Sequence, residues 1–178
     1  FNIDSSLIEE SITDKTSAIV PVHVFGNSCE VEDIQQTAER HNLKVVYDAA
    51  HAFDIKYKDQ SVLNYGDIST LSFHATKLFH TIEGGALIIK DDELASKVRM
   101  LINFGINKLG DVETLGVNAK MNEFEAAMGL CVLDDINLIL EKRKATYNNY
   151  DKALSGTVQL QEKNNNSSNN YAYFPIVL

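Results

Sequence analysis

Short apolar runs separated by a helix-periodic polar stretch organise the first ninety residues. Ala18-Ile19-Val20-Pro21-Val22-His23-Val24 is a continuous apolar run that stops at Phe25-Gly26, the pattern of a buried strand. Over residues 30–41 the spacing changes. Val31, Ile34, Gln35 and Ala38 fall on one helical face, and the acidic residues cluster early in that helix. Leu43-Lys44-Val45-Val46-Tyr47 predicts the next strand. Strand, short helix and strand make a βαβ unit, which pairs its strands in parallel through a right-handed crossover. Residues 67–73 and 85–89 predict two further strands. The connection between these two holds no clear helix, so the fourth strand is free to run antiparallel.

Beyond residue 90 the pattern becomes helical. Leu94, Val98 and Leu101 space out one buried face of a helix over residues 91–103, and residues 103–118 are glycine-rich and irregular. A long helix is expected from Asn122, where Asn122-Glu123-Phe124-Glu125 has the form of a capping box, to about residue 154, with a break near Asp134-Asp135. Residues 163–170 form a low-complexity polar loop with no apolar area to bury. The expected class is α/β with a mostly parallel sheet, and a second region begins near residue 120.

Composition narrows the function classes. A chain of 178 residues with 44% hydrophobic and 23% charged content is that of a soluble globular protein of one to two domains. The net charge of −9 argues against nucleic acid, which calls for a basic patch. Cys29 and Cys131 read as reduced thiols packed in helical segments of a cytoplasmic protein. No run reaches the ~18 apolar residues of a membrane span, so no membrane partner is expected. The chain opens at Phe1 without a methionine or a signal peptide and closes in a strand-like run, Tyr171 to Leu178. It reads as a fragment of a longer protein.

The chemistry centres on Lys77, in Ser72-Phe73-His74-Ala75-Thr76-Lys77, shortly before Glu83-Gly84-Gly85. Asp48 stands at the carboxyl end of an earlier strand, where open α/β sheets place their ligands. A lysine and a carboxylate at successive strand exits are what pyridoxal 5'-phosphate (PLP) requires. The amine makes the Schiff base, and the carboxylate keeps the pyridine nitrogen protonated so that the ring accepts electrons. Once free, the same amine can move a proton at the substrate carbon. Ser72 can donate to a phosphate oxygen, and His51 lies close enough to Asp48 to reach the same ring. His23 is a weaker candidate, His74 faces either core or site, and His41 and His80 look peripheral. The five histidines lack metal-ligand spacing, and Gly84-Gly85 lacks the P-loop arrangement.

Three stretches resemble the nucleotide-sugar aminotransferases of the DegT type, which are fold type I PLP enzymes related to aspartate aminotransferase. They are Pro21-Val22-His23-Val24-Phe25-Gly26 with Asp48-Ala49-Ala50-His51-Ala52-Phe53; Gly66 through Lys77 with Glu83-Gly84-Gly85; and Gly116-Val117-Asn118-Ala119-Lys120-Met121-Asn122-Glu123 leading into Ala126-Ala127-Met128-Gly129-Leu130. The resemblance implies a three-layer α/β fold. Residues 1–118 would belong to a large PLP-binding domain and residues 119–178 would begin a smaller C-terminal domain. It makes Lys77 the Schiff-base lysine and Asp48 the partner of the pyridine nitrogen. It puts His51, where the family often has Gln, beside the ring's phenolic oxygen, and Ser72 on the phosphate. Asn118 matches the asparagine of the family's Gly-aromatic-Asn-aromatic-Arg stretch, with Lys120 in place of Arg. Either Asn118 or Lys120 would reach a neighbouring subunit's cofactor in a homodimer. The phosphate-cradling Gly-Thr segment would precede Phe1.

The implied reaction moves an amino group, from glutamate, to a keto-sugar nucleotide such as a dTDP-4-keto-6-deoxyhexose, in deoxyamino sugar and polysaccharide biosynthesis. Related PLP sugar dehydratases carry histidine in the lysine's place, and non-catalytic sensor relatives would lose Lys or Asp. A phosphoacceptor signalling domain also gathers Asp, Ser/Thr and Lys at strand ends. It takes the last two from successive strands, however, and Ser72 and Lys77 sit in one short segment.

Overall fold

The computed structural model describes residues 1–178. Eight strands and three α-helices follow in chain order. They are β1 (Ala18–Ile19), α1 (Val31–Arg40), β2 (Lys44–Asp48), β3 (Lys56–Tyr57), β4 (Gln60–Ser61), β5 (Ile68–Ser72), β6 (Gly85–Ile89), α2 (Asp92–Leu101), α3 (Glu123–Leu154), β7 (Gln159–Leu160) and β8 (Ile176–Val177). The central sheet has the order β1-β2-β5-β6. β1 and β5 flank β2 in parallel, and β6 pairs antiparallel with β5. A short loop returns β5 directly to β6, so no crossover helix is needed there.

The core lies between α1 and one face of the sheet. Val31, Ile34 and Ala38 bury the apolar stripe of α1 against Ile19, Val45 and Tyr47, and the layer continues through Ala49, Ala52, Ile55, Tyr57 and Val62. Side chains alternate along a strand, so burying Val45 and Tyr47 turns Val46 and Asp48 to the other face. That alternation sets the direction of the Asp48 carboxylate.

Three expectations need correction. The first strand covers only Ala18–Ile19, because Pro21 has no N–H for the ladder. Past it the chain still tracks β2: Asp48 N–H donates to the Pro21 carbonyl (2.9 Å), and His23 N–H donates to the Asp48 carbonyl (3.0 Å). The long helix has no break at Asp134-Asp135. Both aspartates are exposed, and no glycine or proline interrupts the chain there. Its capping box is present, with Asn122 accepting from Glu125 N–H and the Glu125 carboxylate accepting from Asn122 N–H. Cys29 precedes α1 instead of lying in a helix, and Cys131 is exposed on α3.

The asparagine-rich segment is a polar loop as expected, and it is pinned to the domain. Asn164 donates to the carbonyls of Ser28 and Cys29, and its N–H donates to Asn27 Oδ1. Ser168 N–H donates to the Lys56 carbonyl and Ser168 Oγ accepts from Lys56 N–H. Lacking apolar area, the segment is held by hydrogen bonds to backbone groups that would otherwise go unpaired.

Candidate active site

The parallel strands deliver two of the expected groups to one sheet face. Asp48 is the last residue of β2 and stands opposite Thr70 of β5. Ser72 lies two residues further along β5, so Asp48, Thr70 and Ser72 project to the same side. The Asp48 carboxylate accepts the Ala50 N–H at 3.0 Å, which fixes one oxygen and leaves the other free. Ser72 Oγ accepts the His74 N–H at a long 3.4 Å, and its own proton is free for an acceptor.

Lys77 sits in the turn between β5 and β6. The turn is closed at its neck by Phe73 N–H donating to the Gly84 carbonyl (2.8 Å) and Thr81 N–H donating to the Phe73 carbonyl (2.9 Å). Its next residues, Leu78 and Phe79, are buried. The Phe79 ring stacks on Phe53 at 4.8 Å and meets Phe73 edge-on at 4.8 Å. Phe53 follows Asp48 by one short loop, so these rings fasten the lysine turn to the aspartate's own segment. α3 approaches from the other side at Gly129, where an added Cβ would stand 2.9 Å from the Thr81 methyl. Lys77 is half-buried at this junction.

His51 stands in the loop that follows β2, three residues beyond Asp48. Burial holds its imidazole below the ordinary value, the Lys77 ammonium adds to the effect, and the Asp48 carboxylate opposes it. Both charges therefore bear on this ring. His51 Nδ1 accepts the Phe25 N–H (3.2 Å), so the neutral ring carries its proton on Nε2. The Phe25 and Tyr173 rings complete a three-ring group, with centroids 6.0 and 4.5 Å from His51.

Asn118 and Lys120 are exposed, and Ala119 between them lines one cavity with Thr70, Leu71, Gly84 and Gly85. The backbone under them is shaped by pairing of Asn103 with Asn118 and by Ala119 N–H donating to the Ile102 carbonyl. Gly105 and Gly116 permit the close crossing: an added Cβ on Gly105 would collide with the Thr114 carbonyl, and one on Gly116 with the Gly105 nitrogen. Lys120 Nζ donates to Asn118 Oδ1 (2.8 Å) and lies 4.2 Å over the Phe104 ring. Their side-chain hydrogen bond is to each other, and both residues are exposed.

The remaining histidines divide cleanly. His23 is fully buried, stacked on Tyr47 at 4.7 Å, and accepts the Cys29 N–H on Nδ1. Burial drops its pKa to about 4 against the pull of Asp48, which makes it a neutral core residue. His41 pairs with Glu9 at the surface, and His74 lies against Thr76 Oγ1 (2.8 Å) with Glu83 at 3.6 Å. Phe25, Asn170 and Tyr173 were not apparent as site neighbours from the chain alone. Only the Phe25-Gly26 turn carried a hint. Asn170 was hidden in a polar repeat and Tyr173 in a terminal apolar run.

The donor set fits a substituted pyridine bearing a phosphate. A lysine amine, a carboxylate, an imidazole N–H and a hydroxyl would supply respectively a covalent link, a pyridinium partner, a donor for a ring oxygen and a donor for an anion.

Residues 1–178 match the DegT/DnrJ/EryC1/StrS aminotransferase family. The chain is 42% identical over 174 residues to a dTDP-4-amino-4,6-dideoxy-D-glucose transaminase of Shigella dysenteriae, covering 96% of the chain and 47% of that protein. Among solved structures, DesI in the presence of its TDP-sugar product superposes with a TM-score of 0.88 at 34% identity, over 97% of this chain and 45% of that one. The PLP form of the putative sugar aminotransferase Spr1654 from Streptococcus pneumoniae gives 0.88 at 26% identity, over 97% and 50%. The chain spans about half the length of the relatives it matches.

Proposed function

The chain belongs to the DegT/DnrJ/EryC1/StrS aminotransferase family, and from that premise we propose that the complete protein is a PLP-dependent nucleotide-sugar aminotransferase. It takes an amino group from glutamate and delivers it to a nucleotide-linked keto-sugar such as a dTDP-4-keto-6-deoxyhexose. The observation that carries the reading is the strand register: Asp48 ends β2 opposite Thr70 of β5, with Ser72 on the same face and Lys77 in the turn that β5 leads into.

When bound, PLP supplies an electron sink for the carbanion formed at the amino-bearing carbon. The chain's own residues do the rest. Lys77 Nζ would provide the covalent anchor and, once freed, would carry the proton taken from the amino-bearing carbon of the donor to a second carbon, so that the amino group is left behind. Asp48, with one oxygen held by Ala50 N–H, keeps its other oxygen for the pyridine N–H. His51 offers its Nε2–H to the ring's phenolic oxygen, and Ser72 Oγ donates to the phosphate.

The unit is proposed to be a cytoplasmic homodimer. Asn118 or Lys120 of one subunit reaches the phosphate at the other's site, where a charge-assisted bond is strongest. Residues 1–118 are assigned to the large domain and residues 119–178 to the start of the small one. The test is direct. The complete protein, loaded with PLP and given glutamate and a dTDP-4-keto-6-deoxyhexose, should release 2-oxoglutarate and the amino sugar in equal amounts. Release of neither product, from protein that holds PLP on Lys77, would reject this substrate assignment.

A further inference from the structure

Asn170 is 2% exposed, an unusual place for an asparagine at the end of a polar run. Its side chain is fully employed. Nδ2 donates to the carbonyls of His51 (3.0 Å) and Phe53 (2.8 Å), and Oδ1 accepts the Ala172 N–H (3.1 Å). One amide thus ties the C-terminal segment to the loop that follows Asp48. The joint is tight, because an added Cβ at Gly26 would come within 2.8 Å of the His51 carbonyl and 3.1 Å of Asn170 Oδ1. Three residues beyond Asn170, the Tyr173 ring closes on the His51 imidazole at 4.5 Å. On its far edge His51 takes the Phe25 N–H on Nδ1. Phe25 itself holds a left-handed φ of 58°, a conformation that must be held by its surroundings.

We propose that Asn170 is a positioning residue that, through the His51 backbone and the Tyr173 ring it places, locks His51 in the Nε2–H tautomer and aims that proton at the cofactor ring. The C-terminal segment, remote in sequence from Lys77, thereby controls a hydrogen-bond donor of the candidate site. The destination of the proton rests on the PLP reading above; the locking of the tautomer does not. Removing the two Asn170 donations frees the His51 carbonyl and lets the loop turn. Phe25 N–H then loses its fixed acceptor, and both imidazole tautomers become populated.

The test uses the complete protein, cofactor-free, with 15N-labelled histidine, read by the nitrogen chemical shifts of the rings near pH 8. His51 is assigned by the signal missing from His51→Gln. His23 is the internal control, since its Nδ1 also accepts a backbone N–H, that of Cys29, and it makes no hydrogen bond with Asn170. Wild-type protein should show His51 as a single Nε2–H tautomer. Asn170→Ala, and the isosteric Asn170→Asp that keeps an acceptor for Ala172 N–H, should show it as a mixture with His23 unchanged. PLP retention should weaken by roughly tenfold in both, the scale found when an outer partner of a binding group is removed. Should Asn170→Ala fail to fold, as reported by a shifted His23 signal, Asn170→Asp decides. A single Nε2–H tautomer persisting in the folded variant overturns the proposal. Failure of the PLP reading appears separately, as wild-type protein that cannot be fixed to cofactor at Lys77.

Discussion

The two halves of the molecule treat their functional side chains in opposite ways. Around β2 and β5, Asp48, His51 and Lys77 rest on a buried layer, and rings from three segments pack around them. Around residues 103–124 the backbone is just as constrained, yet the side chains face outward. Leu115 is 90% exposed, Phe124 is 88% exposed, and Leu109, Val112 and Val117 are also uncovered beside Asn118 and Lys120. Rigid backbone below exposed apolar side chains marks a surface shaped for another surface. On the proposed reading the first region is the chain's own share of the cofactor site, and the second is what it offers to a partner subunit. The account stands or falls on that distinction.

The largest effect falls in the first region. Lys77→Ala should lower turnover by about a thousandfold or more, because the amine both anchors and moves the proton. Steady-state rates at saturating donor would check it, and a rate within tenfold of wild type would move the chemistry elsewhere. Asp48→Asn should cost roughly a hundredfold while leaving the lysine linkage intact, since only the pyridinium's stabilising charge is lost. Near-normal rates for the donor half-reaction alone would remove Asp48 from that role.

The outward region predicts rescue instead of loss. Lys77→Ala and the double variant Asn118→Ala/Lys120→Ala should each be inactive in the complete protein. Mixed under conditions of subunit exchange, they should recover about a quarter of wild-type activity, because half of the dimers are mixed and each has one intact site. Confirmed exchange with no recovery would make both regions serve the same subunit.

A smaller effect separates His51 from His23, two histidines that accept a backbone N–H on Nδ1. The buried His23 has its pKa lowered from 6.5 to about 4, so the unfolded chain binds a proton before the folded one does. Stability from this residue is complete above pH 6.5 and is lost as pH falls towards 4. Between pH 7.5 and 5.5 the loss is roughly 1 kcal/mol. Comparing the drop in thermal midpoint over that range for wild type and His23→Gln isolates the contribution. An equal drop in both would mean that His23 is not held neutral in the core.

The sequence exposed the fold through periodicity where burial is one-sided. The α1 stripe of Val31, Ile34 and Ala38 and the alternation at Val45 and Tyr47 were legible because a local pattern sets each face. The antiparallel return of β6 followed from a connection too short for a crossover. What stayed hidden was non-local. Nothing within residues 163–170 says that Asn164 and Asn170 will spend their amides on carbonyls of Ser28, His51 and Phe53, because those partners lie more than a hundred residues away. The first strand was overread because an apolar run does not reveal that Pro21 interrupts its ladder. Of the candidate site, the places of Asp48 at the end of β2 and Lys77 just beyond β5 were readable from strand ends and motif. The Phe25, His51 and Tyr173 ring group was not, since it needs the C-terminal segment folded back.

The most direct measurement is chemical trapping. The complete protein, incubated with PLP and reduced with borohydride, should yield on digestion a single modified peptide carrying the reduced cofactor on Lys77. The same treatment of Asp48→Asn should modify the same lysine, and Lys77→Ala should give none. Modification of a different lysine, or equal modification of Lys77→Ala, would contradict the assignment of the strand-exit cluster as the cofactor site.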